Sequence, residues 1–152
     1  MKPCNHHERC IDTALHNAQD LCIKHNMHFT PLRRQVLKLI WQNHIPLKVH
    51  TIVEKLKLVG MEVKPISVYR VLDFMQEYGL VHKLTSQNSF LGCSHPSINH
   101  NCYFIICQVC YKVEEACQED VLNNIHMSLD KKNFLPKHIT LEIQGICQEC
   151  QN

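Results

Sequence analysis

The sequence predicts an α+β fold in two parts, a helical half that ends in a β-hairpin and a smaller α/β half stapled by cysteines. Three observations predict it. Apolar residues recur at helical spacing through most of the first 79 positions and are followed by two short strand-like segments. Two C-x-x-C pairs, Cys107-Gln-Val-Cys110 and Cys147-Gln-Glu-Cys150, flank a stretch that reads strand, helix, strand. The charge also changes sign: residues 1–84 hold twelve Lys/Arg against seven Asp/Glu, and residues 85–152 hold four against seven.

The first helix spans about residues 9–27, with Ile11, Ala14, Leu15, Ala18, Leu21 and Cys22 on one face. Thr30-Pro31 starts the second, the hydroxyl as N-cap and proline in the first turn. That helix buries Val36, Leu37, Ile40 and Trp41, ends near Asn43-His44, and is followed by the connector Ile45-Pro46-Leu47. A third helix runs from Val49 to Val59, with Ile52, Val53, Leu56 and Val59 inward and Gly60 as its stop. Pro65 opens a fourth, which buries Val68, Val71, Leu72 and Met75 and ends at Gly79. Its outward face carries Ser67, Tyr69, Arg70, Asp73, Gln76 and Glu77.

Strands Leu80–Leu84 and Ser89–Cys93 flank the polar turn Thr85-Ser86-Gln87-Asn88. Helix, helix, hairpin is the outline of a winged helix, whose fourth helix would enter a DNA major groove. Ser94-His95-Pro96-Ser97-Ile98-Asn99 is the obvious linker. Beyond it come strands at Tyr103–Cys107 and Lys112–Glu115, a helix over about 118–133, and a third strand over Lys137–Gln144, where Ile139, Leu141 and Ile143 alternate with polar neighbours. The expected division is 1–84, winged helix; 85–100, wing end and hinge; 101–152, the metal-rich part.

Each C-x-x-C sets two thiolates on one tight turn. Two such turns roughly 36 residues apart offer four sulfurs in a tetrahedron, the closed geometry of a structural zinc site formed by Cys107, Cys110, Cys147 and Cys150. The same spacing also serves redox dithiols, and that reading stays open. The remaining cysteines, Cys4, Cys10, Cys22, Cys102 and Cys117, read as free thiols. The N-terminus lacks an apolar signal-peptide core and no run approaches the about 18 apolar residues that span a membrane, so the expected compartment is the cytoplasm. A basic half joined to an acidic, metal-rich half suggests a nucleic-acid reader joined to a second module. No H-E-x-x-H, nucleophile elbow or phosphate loop marks the chain as an enzyme.

From about residue 9 to residue 150 the chain resembles the ferric uptake regulator family of metal-sensing repressors. The resemblance rests on Thr30-Pro31-x-Arg33, Ser67-Val68-Tyr69-Arg70-Val71-Leu72, Tyr78-Gly79-Leu80-Val81-His82 and the two C-x-x-C pairs. It implies an N-terminal winged-helix DNA-binding domain, a hinge, and a C-terminal α/β dimerisation domain. Asn99-His100-Asn101-Cys102 is histidine-poor, and Asn88-Ser89-Phe90-Leu91-Gly92-Cys93 is similar to the zinc uptake regulator branch.

With the resemblance comes a regulatory zinc site of His82, Cys93, His100 and Glu115, beside the structural one, so two Zn²⁺ per subunit. One thiolate, two imidazoles and a carboxylate suit Zn²⁺, whereas Fe²⁺ or Mn²⁺ sensing favours harder donors. His82 and Cys93 also read as packed core residues. Glu114 neighbours Glu115, His95 can replace or supplement His100, and Cys102 is a spare donor. His126, His138 and the N-terminal Cys4, His6, His7 and Cys10 have no assigned role. For DNA, Tyr69 and Arg70 face outward to read bases, unless a salt bridge holds Arg70; Arg33, Arg34 and Lys64 suit phosphates, and Lys83 sits on the wing. The implied function is zinc-dependent repression of zinc-uptake genes by a homodimer on an AT-rich palindromic operator. The alternatives are an iron, manganese or peroxide sensor of the same family, or a zinc-buffering or redox thiol protein.

Overall fold

The structure, a computed structural model, describes residues 7–42, 45–96, 102–137 and 139–151. Cys4, His6, His100 and His138 lie outside them, as do Asn43-His44 and part of the linker. The chain divides into two compact units, residues 1–98 and 99–152.

In the first unit, helices α1 (His7–Lys24), α2 (Pro31–Trp41), α3 (Val49–Leu58) and α4 (Pro65–Glu77) precede strands β1 (Val81–Leu84) and β2 (Ser89–Gly92). Small residues one turn apart, Ala14, Ala18 and Cys22, form the buried stripe of α1. They meet a core of Val36, Leu37, Ile40, Ile52, Leu56, Val68, Leu72 and Met75, each 1% exposed or less. The Thr30 side chain accepts from the Arg33 backbone N–H at 3.3 Å, capping α2 ahead of Pro31.

Helices α3 and α4 stop alike. Gly60 and Gly79 take positive φ, and the next residue bonds back five positions, Met61 N–H to the Leu56 carbonyl at 3.0 Å and Leu80 N–H to the Met75 carbonyl at 2.8 Å. This stop leaves Val59 55% exposed, so the inward position expected for it is corrected: the helix ends before its period returns to the core.

Strands β1 and β2 pair antiparallel from Val81↔Gly92 to Leu84↔Ser89, and the turn closes through Asn88 in the left-handed region. The connector before α3 adds a rung, because Leu47 and Phe90 exchange backbone bonds at 2.9 and 2.8 Å. Four helices with a hairpin wing are thus in place.

In the second unit, β3 (Tyr103–Cys107), β4 (Val113–Ala116), helix α5 (Glu119–Asp130) and β5 (Glu142–Gly145) form a sheet of order β4-β3-β5 with one helix. β4 pairs antiparallel with β3, and β5 pairs parallel with it. The third strand is half the predicted length: it begins at Glu142, and just before it the Leu141 carbonyl accepts from the Phe104 N–H at 3.0 Å.

Candidate metal centres and DNA-reading face

Parallel pairing of β3 with β5 sets Cys107 opposite Gly145, so both C-x-x-C turns leave the same end of the sheet. The first turn closes with Tyr111 N–H on the Cys107 carbonyl at 3.0 Å, Tyr111 adopting a positive φ. The second closes with Cys150 N–H on the Cys147 carbonyl at 2.9 Å. Gln108 ties the two together: its N–H donates to the Gly145 carbonyl at 2.8 Å and its side-chain amide to Gln144 Oε1 at 3.0 Å. Lys112 forms an ion pair with Glu149 across the same gap.

The sulfurs of Cys107, Cys110, Cys147 and Cys150 all lie within 4.8 Å of one another, and Cys110 and Cys147 are 3.7 Å apart. Zinc–sulfur bonds of about 2.3 Å set tetrahedral sulfurs about 3.8 Å apart, so this edge has the length a zinc ion requires. The electrostatics agree. Backbone N–H groups of Cys110, Cys147 and Val109 pull the Cys107 thiol down from 9.0 to about 6. Hydrogen bonding to Cys147, burial and the neighbouring sulfurs push Cys150 up to about 12. One sulfur is primed as thiolate while another resists ionising beside it, a conflict that a dication in the centre removes.

On the wing, His82 is half-buried opposite Leu91, and Cys93 is 2% exposed, its N–H donating to the Leu80 carbonyl at 3.0 Å. An imidazole nitrogen of His82 and the Cys93 sulfur lie within 4.8 Å of each other. In the second unit Glu115 is half-buried on β4 opposite Phe104. Its carboxylate lies within 4.8 Å of the Cys117 sulfur. His95 is exposed and His126 half-buried on α5.

Helix α4 presents Tyr69 and Arg70 to solvent, with Lys64 exposed at its N-cap and Lys83 exposed on β1. Arg33 is more occupied than the sequence suggests. Its guanidinium stacks 3.5 Å over the Phe74 ring and donates to the His28 carbonyl at 2.7 Å, tying the start of α2 to α4. Arg34 donates to Gln19 Oε1 at 3.0 Å and lies 5.0 Å over Phe29.

Cys102 and Cys117 correct the reading of both as free thiols, because they form a disulfide. The rungs of β3 and β4 run Phe104↔Glu115 and Tyr103↔Ala116, so the next couple outward is Cys102 with Cys117. The hairpin register that carries this signal cannot be read from the spacing of the cysteines alone. The Lys112–Glu149 pair is hidden in the sequence for the same reason.

A four-helix winged-helix unit followed by an α/β unit with four convergent thiols is the architecture of a DNA-binding regulator equipped with a metal-binding domain. The chain belongs to the ferric uptake regulator family, which it matches over residues 24–144. It is 33% identical over 137 residues to the zinc uptake regulation protein of Escherichia coli (strain K12), covering 90% of this chain and 80% of that protein. Among solved structures it is similar to a zinc uptake regulator complexed with zinc and DNA (TM-score 0.87, 32% identity, 93% of this chain and 95% of that one). Holo XcZur is comparable, with TM-score 0.82, 31% identity and coverage of 91% and 97%. Among the described residues no helix is long and apolar enough to cross a membrane.

Proposed function

We propose that the chain is a zinc-responsive transcriptional repressor that acts in the cytoplasm, is not an enzyme, and binds palindromic operator DNA of zinc-uptake genes as a homodimer. The observation that carries the zinc assignment is the His82–Cys93 pair on the wing, a cysteine sulfur and an imidazole nitrogen within 4.8 Å. A buried thiolate beside an imidazole favours a borderline-soft ion over Fe²⁺ or Mn²⁺. The similarity to a zinc uptake regulator complexed with zinc and DNA supports the same reading.

Bound Zn²⁺ supplies the positive charge that lets thiolates, imidazoles and a carboxylate converge. Cys107, Cys110, Cys147 and Cys150 hold one ion that closes the second unit. His82, Cys93, His100 and Glu115 hold the other, the regulatory one. His82 and Cys93 belong to the DNA-reading part of the chain and His100 and Glu115 to the rest. Occupancy of this set is therefore linked to DNA affinity, and DNA tightens zinc as much as zinc tightens DNA.

In the groove, Arg70 pairs with a base edge and Tyr69 touches a thymine methyl or a phosphate. Lys64 and Lys83 meet phosphates, joined by Arg33 through guanidinium donors beyond the one given to His28. For the dimer, Ile105 and Ile143 face each other on one rung of β3 and β5 and are 41% and 45% exposed, an apolar face suited to a second copy.

The test is zinc stoichiometry and operator binding on the wild type and on Cys93→Ser. The expected wild type carries two zincs per subunit and binds the palindrome only with both, while the variant keeps one and loses zinc-dependent binding. Normal zinc-dependent DNA binding by Cys93→Ser would remove Cys93 from the sensory site.

A further inference from the structure

We infer that Cys102 and Cys117 form a reversible thiol–disulfide site that reacts with low-molecular-weight disulfides and, when oxidised, holds Glu115 in place for the regulatory metal. The inference rests on the zinc-repressor reading for its consequence, though not for the redox chemistry itself.

The bond joins the residue just before β3 to the residue just after β4, one rung beyond Tyr103↔Ala116. It lies at the sheet end, with Cys117 exposed and Cys102 half-buried. The other seven described cysteines form no disulfide, and five of them serve as metal ligands in the proposed function. Thiolate ligands persist only where thiols stay reduced. In such a compartment a solvent-facing disulfide is transient and sensory rather than structural.

The exchange balances simply. The Cys117 thiolate, the more accessible of the two, attacks one sulfur of the small disulfide, forms a mixed disulfide and displaces a thiolate. The Cys102 thiolate then attacks the Cys117 sulfur and displaces the second thiolate. Two protein thiols are oxidised, one small disulfide is reduced to two thiols, and the protein thiol protons pass through solvent to the leaving thiolates.

Position gives the bond a consequence. Glu115 is two residues from Cys117, and its carboxylate lies within 4.8 Å of that sulfur. With the bond closed, the ladder end carrying Glu115 is covalently pinned. With it open, that end is held by the Tyr103↔Ala116 rung and by the Tyr103 hydroxyl donating to Gln118 Oε1 at 3.1 Å. A strand end held by fewer bonds opens more often, and a carboxylate that must be ordered on binding holds metal less tightly.

The experiment equilibrates the full-length, zinc-loaded protein with graded ratios of oxidised to reduced glutathione. Differential alkylation and peptide mass mapping then locate the thiols, and chelator competition measures the affinity of the second zinc. Cys102 and Cys117 are expected to interconvert together while Cys107, Cys110, Cys147 and Cys150 stay protected. The oxidised form should bind the second zinc roughly 5-fold more tightly or better. Cys102→Ser/Cys117→Ser should match the reduced wild type at every ratio. A pair that never changes state across the series overturns the site. Equal zinc affinity in both states, or tighter binding by the reduced form, overturns the link to Glu115. A protein that takes up one zinc in either state defeats the repressor reading, while the alkylation map still decides the redox site.

Discussion

Gly92→Ala is the sharpest perturbation the fold offers. A Cβ at Gly92 would meet the Trp41 indole at 2.5 Å from Cε2, 2.6 Å from Nε1 and 3.0 Å from Cζ2. Carbon atoms in contact sit about 3.5–4.0 Å apart, so the side chain intrudes by about 1 Å on three atoms of one rigid ring. The ring cannot fold away as a lysine tip would, because Trp41 is only 9% exposed at the end of α2. Overpacking of this kind costs about 1–3 kcal/mol, and replacing a strand glycine returns about 0.5–1 kcal/mol. The net is centred on about 1.2 kcal/mol within a range of about 0–2.5, or roughly 5–10 °C at the centre in the melting temperature of a unit this size. Thermal unfolding followed by fluorescence suits the question, since Trp41 is the chain's single tryptophan and reports its own displacement. In a double-mutant cycle, Gly92→Ala should cost far less on a Trp41→Leu background, where the ring is gone. Because Cys93 follows directly, the variant should also weaken the second zinc. A melting temperature within about 1 °C of wild type, with unchanged indole emission, would refute the reasoning.

Arg70→Ala should relax base preference at one operator position by about 1–3 kcal/mol, whereas Lys64→Ala should weaken all sequences alike and flatten the salt dependence by about one unit; salt-titrated binding to matched and mismatched operators separates them. Thr30→Ala removes the α2 cap and should cost about 1 kcal/mol in urea unfolding. Metal-stripped protein should show opposite pH dependences from two thiols. The lowered Cys107 group contributes stability that is full above 9.0 and is lost as pH falls through about 6. The raised Cys150 group contributes stability that is full below 9.0 and is lost as pH rises through about 12. Denaturation midpoints taken across that range would show a maximum between the two losses. Calorimetry in buffers of different ionisation enthalpy, at about pH 7.5, should find fewer protons released as zinc fills the site than the four sulfurs would give, Cys107 having lost its proton already.

The helices were legible because their signals are local. Thr30-Pro31 caps α2, Pro65 opens α4, and Gly60 and Gly79 supply the left-handed stops, all within one turn of sequence. The four-cysteine centre was legible for a related reason: a C-x-x-C turn builds half a tetrahedron by itself. Features that depend on register were not. The Leu47–Phe90 rung, the Cys102–Cys117 bond and the Lys112–Glu149 pair each require knowing which residues of separate segments face one another. The third strand of the second unit is shorter than its alternation predicts: Ile139 and Leu141 alternate as a strand would, yet residue pairing with β3 begins at Glu142. Arg33 was read as a phosphate contact from its charge, and its stacking on Phe74 belongs to a helix pair that no spacing rule reveals.

The parallel pairing of β3 with β5 has a consequence for how the chain is made. An antiparallel partner could be supplied by a short turn, but a parallel one needs a crossover, and here β4 and α5 fill it. Cys107 and Cys110 emerge from the ribosome first and wait for sulfurs 37 positions beyond Cys110. Closing so long a loop carries an entropic cost that only the finished crossover, with the ion, offsets. Nascent chains stalled before Cys147 would hold a half-formed thiol pair open to capture by any soft metal. Completed chains would shed that vulnerability within one folding event, and the last knuckle to be synthesised would serve as a checkpoint for the whole second unit.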